Sequence, residues 1–160
     1  MILNPSASHF AFGKSLLREE LVVNSSADFN CTYVFANLLG NEAGRMIYDG
    51  ELLIAHHGKL VNRNDWLSFE DMNLIMSDVD VSTPDQEFPE APVFARDTNT
   101  EFVKATSLAL FDYLRKSHSR GFVLSLSGGA DSSTLAVLVS EMVRRSINAL
   151  GKETFFRKTH

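Results

Sequence analysis

The stretch "LSLSGGADSSTLAVL", Leu124 to Leu138, sets two adjacent glycines, an aspartate and a cluster of hydroxyls between two apolar runs. The run before it, "GFVLSLS" from Gly121 to Ser127, reads as a strand. The run after it carries Leu135, Val139, Met142 and Val143 at helical spacing and predicts a helix over Ser132–Ala149. Strand, glycine loop and helix in that order place free backbone N–H groups and the positive end of a helix dipole at one spot, which is an anion site. Gly128 and Gly129 let the main chain approach an anion without a side chain in the way. Ser127, Ser132 and Ser133 add hydroxyl donors. Asp131 would repel a bare phosphate, so its place in the loop is explained if a magnesium ion lies between them. The GxxxxGK[ST] and GxGxxG phosphate motifs are both absent. A plain strand-to-helix turn capped by Asp131 or Ser132 is the competing reading.

Working outward, strand–loop–helix is half of a βαβ unit, and one half cannot cover both faces of a parallel sheet. Before it, Phe102, Ala105, Leu108, Ala109 and Phe111 or Asp112 recur on the faces of an amphipathic helix over Thr100–Lys116, with Thr98 or Thr100 as its N-cap. The segment Ser82–Pro92, "STPDQEFPEAP", holds three of the four prolines among acids and few core-forming residues, and reads as a linker.

The first half reads as "MIL" strand, "NPSASHF" loop, and a helix from about Gly13 to Asp28 with Leu16, Leu17, Leu21 and Val22 as its apolar positions. "CTYVFANLL" is a buried strand, broken by "GNEAGR". In "MIYDGELLIAHHGKLV", Asp49-Gly50 predicts a hairpin turn between two strand-like runs, and Gly58 a further turn. "NLIMSDVDV" alternates like a half-buried strand.

Over 160 residues, 44% hydrophobic content suits a globular protein, and the formal charge of −5 leaves no basic stripe for nucleic acid. No apolar run approaches the roughly 18 residues of a membrane span, and "MILNPSASHF" lacks the pattern of a signal peptide. Cys31 is the only cysteine, which excludes an internal disulfide and a cysteine-based zinc site. These features point to the cytoplasm. His56 and His57 are adjacent on a strand and so face opposite ways, which argues against a metal pair. Glu42 and Arg45 are candidates for an ion pair or an interface contact. Asp78 and Asp80 share a solvated strand face.

The run S-G-G-x-D-S resembles the signature of the PP-loop ATP pyrophosphatases, which cleave ATP between the α and β phosphates and adenylate a substrate oxygen. "NPSASHFAFGKSLLREEL", "YVFANLLGNEAGRMIYDGELLIAHHGKLV" and "DVDV" resemble the carboxyl-terminal part of a nitrilase-type amidase domain. That order, together with "SLALFDYLRKS…GFVLSLSGGADSS", resembles the glutamine-dependent NAD synthetases from Asn4 to about Leu150. The resemblance implies an α/β fold: the C-terminal part of a nitrilase-like αββα sandwich over residues 1–81, a linker over 82–97, and over 98–160 the first strand-loop-helix of a Rossmann-like adenine nucleotide alpha hydrolase domain. It implies ATP binding by Ser125, Leu126, Ser127, Gly128, Gly129, Ala130, Asp131 and Ser132, with Asp131 also on Mg2+. It implies glutamine contacts at Ser8 and Lys14, deamido-NAD as the second substrate, and a homo-oligomeric parent. In that family the Glu–Lys–Cys set, in which a thiolate attacks the glutamine amide, precedes the loop that Ser8 matches. Cys31 follows that loop, so no catalytic glutaminase residue is assigned here, and the stretch alone is expected to perform neither half-reaction. The rivals are another PP-loop amidotransferase, against which the "ANLLG…YDG" pattern counts, and a non-catalytic relic or interface piece.

Overall fold

Around β2 (Thr32–Asn37), "TYVFAN", the first half of the chain is assembled. β1 (Ile2–Ser6) lies parallel to it, pairing Ile2 with Tyr33 through Ser6 with Asn37. On its other side β5 (Leu52–His56) runs antiparallel, and β6 (Lys59–Arg63) follows β5, giving the order β1-β2-β5-β6. A separate two-stranded ribbon joins β3 (Leu39–Glu42) to β4 (Met46–Asp49). Helix α1 (Lys14–Asp28) packs on the four-stranded sheet. Three helices complete the mixed α/β chain: α2 (Thr98–Lys116), α3 (Ala130–Leu150) and α4 (Lys152–Thr159). This computed structural model describes residues 1–42 and 44–159. Ala43, inside the "GNEAGR" break, and His160, the last residue of the 98–160 region, lie outside the described residues. No helix among the described residues is long and apolar enough to cross a membrane.

Two apolar clusters hold these elements. One joins Val22 of α1 to Tyr33, Phe35, Leu53 and Ala55 of the sheet. The other takes Trp66, Leu67 and Phe69, which follow β6, and buries them with Ala105, Leu108, Phe111 and Leu114 of α2, Met142 of α3 and Phe155 of α4. This second core draws on both sides of the 82–97 segment. Phe111 sits at its centre, edge-on to Phe69 at 5.3 Å and 6.3 Å from Phe155.

Several sequence expectations are corrected. Asp49-Gly50 does not close a hairpin, because β4 pairs with β3 whereas β5 pairs with β2 and β6. Gly50, at φ +64°, instead carries the chain from one sheet to the other, and a Cβ there would meet the Leu39 side chain at 2.7 Å. The turn at Gly58 does join two paired strands, β5 and β6. The strand expected over "CTYVFANLL" ends at Asn37, ahead of "GNEAGR", and Gly40, Asn41 and Glu42 belong with Leu39 to a second strand, β3. The N-cap of α2 is Asp97, whose side chain accepts the Thr100 N–H at 3.0 Å, not Thr98 or Thr100.

Of the apolar positions expected to face the core from α1, Val22 is buried and the three leucines are not. Leu16, Leu17 and Leu21 are exposed, and the buried stripe is Ser15, Arg18, Val22 and Ser26. The physical reason is a set of polar partners beneath the helix that leucine could not satisfy. Ser26 Oγ accepts the Gly58 N–H at 2.8 Å, and Arg18 meets two buried carboxylates. Gly121–Ser127 and the "NLIMSDVDV" segment form no strands, since among the described residues neither gains a ladder partner for its backbone groups. Val123 and Leu126 are consequently exposed, as are Met72, Leu74 and Met76.

Candidate functional site

The glycine loop opens α3 at the molecular surface. Gly129 is the N-cap, in extended conformation, and no side chain caps the helix. The first helical bond runs from the Ser133 N–H to the Gly129 carbonyl at 3.2 Å. The N–H groups of Ala130, Asp131 and Ser132 therefore precede the ladder and face outward without an intrahelical acceptor. Hydroxyls gather around the turn: Ser127 Oγ lies 3.2 Å from Ser132 Oγ and accepts the Gly129 N–H at 3.4 Å, while Ser132 Oγ donates to the Gly129 carbonyl at 3.2 Å. Gly128 has φ +80°, which only glycine adopts cheaply. Gly129 has an ordinary φ of −82°, and a Cβ there would meet only Ser127 Oγ at 3.5 Å. Its own chain thus does not require glycine at 129. Asp131 stands exposed in the first turn of α3, and Ser125 and Leu126 lie on the exposed segment that enters the loop.

A second arrangement lies under the loop between β1 and α1. Ser8 and Lys14 are brought to one place, with Lys14 Nζ donating to the His9 carbonyl at 2.8 Å. Ser8 is held at both ends of its main chain by one side chain. Its N–H donates to Asn37 Oδ1 at 2.8 Å, and its carbonyl accepts from Asn37 Nδ2 at 2.8 Å. Asn37 Nδ2 also donates to Asp49 Oδ1 at 2.6 Å. Arg18 Nη1 donates to Asp49 Oδ2 at 2.5 Å and Glu51 Oε2 at 3.0 Å, and its Nη2 donates to the Ser8 carbonyl at 3.1 Å. Ser15 Oγ completes the set on Glu51. Burial pushes the Glu51 carboxyl above its ordinary value. The Ser15 and Arg18 hydrogen bonds pull it down, and the Asp49 charge adds to the rise.

Sequence reasoning did not find Arg18, Asn37, Asp49, Glu51 or Ser15. The leucines of α1 mark a face that is exposed, and Asp49-Gly50 reads locally as a turn. The series Ser15, Arg18, Val22, Ser26 at three- and four-residue spacing, with three polar members around one valine, was the available signal.

Other candidates resolve into structure. His56 is fully buried, with Nδ1 2.8 Å from Thr32 Oγ1 and Nε2 3.0 Å from the Thr83 carbonyl. Glu42 pairs with Lys116 at 2.8 Å, and Asp80 binds the Ser82 N–H and hydroxyl and the Thr83 hydroxyl. Cys31 is partly exposed just before β2. No group of three or more His, Cys, Asp or Glu among the described residues is placed to hold a metal ion by itself.

Comparison with known proteins adds the following. Residues 102–156 match the family profile described as NAD synthase. The chain is 32% identical to a glutamine-dependent NAD(+) synthetase of Synechocystis, over 96% of this chain and 26% of that protein. A protein of Schizosaccharomyces pombe described as a putative glutamine-dependent NAD(+) synthetase is 28% identical, over 96% of this chain and 27% of its own length. A solved structure of a glutamine-dependent NAD(+) synthetase from Cytophaga hutchinsonii superposes with a TM-score of 0.87 at 58% identity, covering 98% of this chain and 25% of that one. One from Acinetobacter baumannii, solved in complex with ADP, shares the fold with a TM-score of 0.75 at 22% identity. The chain spans about a quarter of the length of the relatives it matches.

Proposed function

Because the chain belongs to the glutamine-dependent NAD synthetases, we propose that its loop Ser125–Ser132 holds the phosphates of ATP in the synthesis of NAD from deamido-NAD. The observation that carries this is the loop's geometry. Three outward N–H groups, two serine hydroxyls and a glycine that its own chain does not require converge at the start of α3. A glycine at 129 is explained by close approach of a ligand. The ADP bound to the Acinetobacter baumannii protein supports the same class of ligand.

On this reading residues 1–81 are the C-terminal part of a nitrilase-like αββα glutaminase domain, 82–97 a linker, and 98–160 the N-terminal part of a Rossmann-like PP-loop domain. The α1-on-sheet packing followed by the α2–α3 pair is consistent with that division. Ser8 and Lys14 contact glutamine, whose amide nitrogen is released as ammonia. The ammonia then displaces AMP from adenylated deamido-NAD. Backbone N–H groups of the loop stabilise the charge that develops on pyrophosphate as the α–β bond breaks. Asp131 is the one carboxylate in the loop, so it fits a Mg2+ shared with phosphate oxygens, a cation that would neutralise the charge between them. The parent protein would work in the cytoplasm as a homo-oligomer.

The test is substrate choice in the full-length protein. With ATP and glutamine, AMP should form with deamido-NAD and not with xanthosine monophosphate or aspartate. AMP formation with either of the latter alone would assign another ATP-dependent amidotransferase.

A further inference from the structure

The main chain at Ser8 and His9 is fixed by side chains from β2 and α1. Asn37, at the end of β2, meets the N–H and the carbonyl of Ser8 at 2.8 Å each, as a neighbouring strand would. A side-chain amide can point either way round, and here its direction is imposed. The amide nitrogen faces two acceptors, the Ser8 carbonyl and Asp49 Oδ1, so the oxygen is left for the Ser8 N–H. Asp49 is in turn held by Arg18, which spans from that carboxylate to the Ser8 carbonyl with the two arms of its guanidinium. The carbonyl of Ser8 thus accepts from two elements at once, β2 through Asn37 and α1 through Arg18. The next carbonyl, that of His9, receives Lys14 Nζ.

These groups are not solvated accessories: Arg18, Asn37, Asp49 and Glu51 are exposed by 7%, 8%, 2% and 1%. A guanidinium and two carboxylates taken so far out of water cost stability unless every bond is made. A hydrophobic cluster would hold α1 to the sheet at less cost, but it could not set the direction of a main-chain loop. Fixing a loop before its ligand arrives removes an ordering cost from binding.

We propose that Arg18 and Asn37 are positioning residues for glutamine: acting through the Ser8 and His9 main chain, they fix Ser8 and Lys14 in the geometry that receives the substrate. The inference rests on the reading that Ser8 and Lys14 contact glutamine.

The experiment compares Arg18→Lys, Asn37→Ser and Ser8→Ala in the full-length protein, measuring glutamine-dependent and ammonia-dependent NAD formation side by side. Lysine at 18 keeps the charge and loses the two-armed reach; serine at 37 removes the clamp on Ser8. The expected result is a KM for glutamine raised roughly tenfold in all three variants, with ammonia-dependent turnover within about twofold of the parent, as for lost binding geometry. If Ser8→Ala raises KM while the other two do not, the positioning role is overturned and the glutamine site stands. If Ser8→Ala leaves KM unchanged, the glutamine reading of the loop fails and the inference falls with it. If the ammonia-dependent reaction falls in parallel in Arg18→Lys and Asn37→Ser, the network serves the fold alone and the inference is overturned.

Discussion

Asp112, buried in α2, accepts the backbone N–H of Asn41 on β3 at 2.7 Å, across 71 positions of sequence. One carboxylate oxygen therefore ties the ribbon of the first half to the helices of the second. Around it, Asn41 Nδ2 donates to the Ala109 carbonyl at 3.1 Å and Lys116 Nζ to the Asn41 carbonyl at 2.6 Å. Replacing Asp112 with Ala strands the Asn41 N–H in a buried site, and the expected loss is about 2 kcal/mol of unfolding free energy. Urea denaturation of the chain measures it. A change below about 0.5 kcal/mol, the scale of an ordinary surface substitution, would show that this junction contributes nothing.

Phe111→Ala removes the ring at the centre of the core shared by the segment after β6 and by α2, α3 and α4. A loss of about 3–5 kcal/mol is expected. Because Trp66 lies in the same cluster, its fluorescence and the helical circular dichroism should shift together on denaturation. Two separated transitions would contradict a core common to both halves.

Glu51 gives a pH dependence of definite sign. Its folded carboxyl is held above the ordinary 4.5, chiefly by burial, so the native state keeps a proton that the unfolded chain releases. Stability contributed by that proton is present below 4.5 and is lost as pH rises through the folded value. Glu51→Gln, which cannot titrate, should flatten the decline in urea midpoint above 4.5 relative to the parent chain. An unchanged slope would mean that Glu51 is not the group responsible.

Asp97→Ala removes the acceptor for the Thr100 N–H at the start of α2 and should lower the urea midpoint, by less than Phe111→Ala does. Asp97→Ser should restore most of it, since a hydroxyl caps the same donor; failure of serine to do so would argue against a capping role.

Much of the architecture was legible in the sequence, and the failures share a cause. β2, β5, α2 and α3 follow from short-range pattern and need only their own residues to be recognised. The Gly121–Ser127 strand failed because a strand is defined by its neighbour, which local pattern does not supply. The face of α1 failed because spacing reports where leucines recur, whereas burial was decided by Arg18 meeting Asp49 and Glu51 more than thirty positions away. At the glycine loop the sequence stretch was informative because its chemistry is local: N–H groups, hydroxyls and one carboxylate within eight residues. The network behind Ser8 draws Ser15 and Arg18 from α1, Asn37 from β2, Asp49 from β4 and Glu51 from the turn before β5, and no single stretch displayed it.

The most direct measurement is Mg-ATP binding by the full-length protein and its Gly129→Val and Asp131→Asn variants, read by calorimetry with folding checked by circular dichroism. A Cβ at 129 meets nothing in its own chain closer than Ser127 Oγ at 3.5 Å, and the φ there is an ordinary −82°, so the fold should tolerate a side chain. The account predicts that Gly129→Val weakens Mg-ATP binding at least roughly tenfold, as for loss of close backbone contact to phosphate, and that Asp131→Asn weakens it chiefly when magnesium is present. Binding as tight in both variants as in the parent would contradict the assignment of Ser125–Ser132 as the phosphate loop.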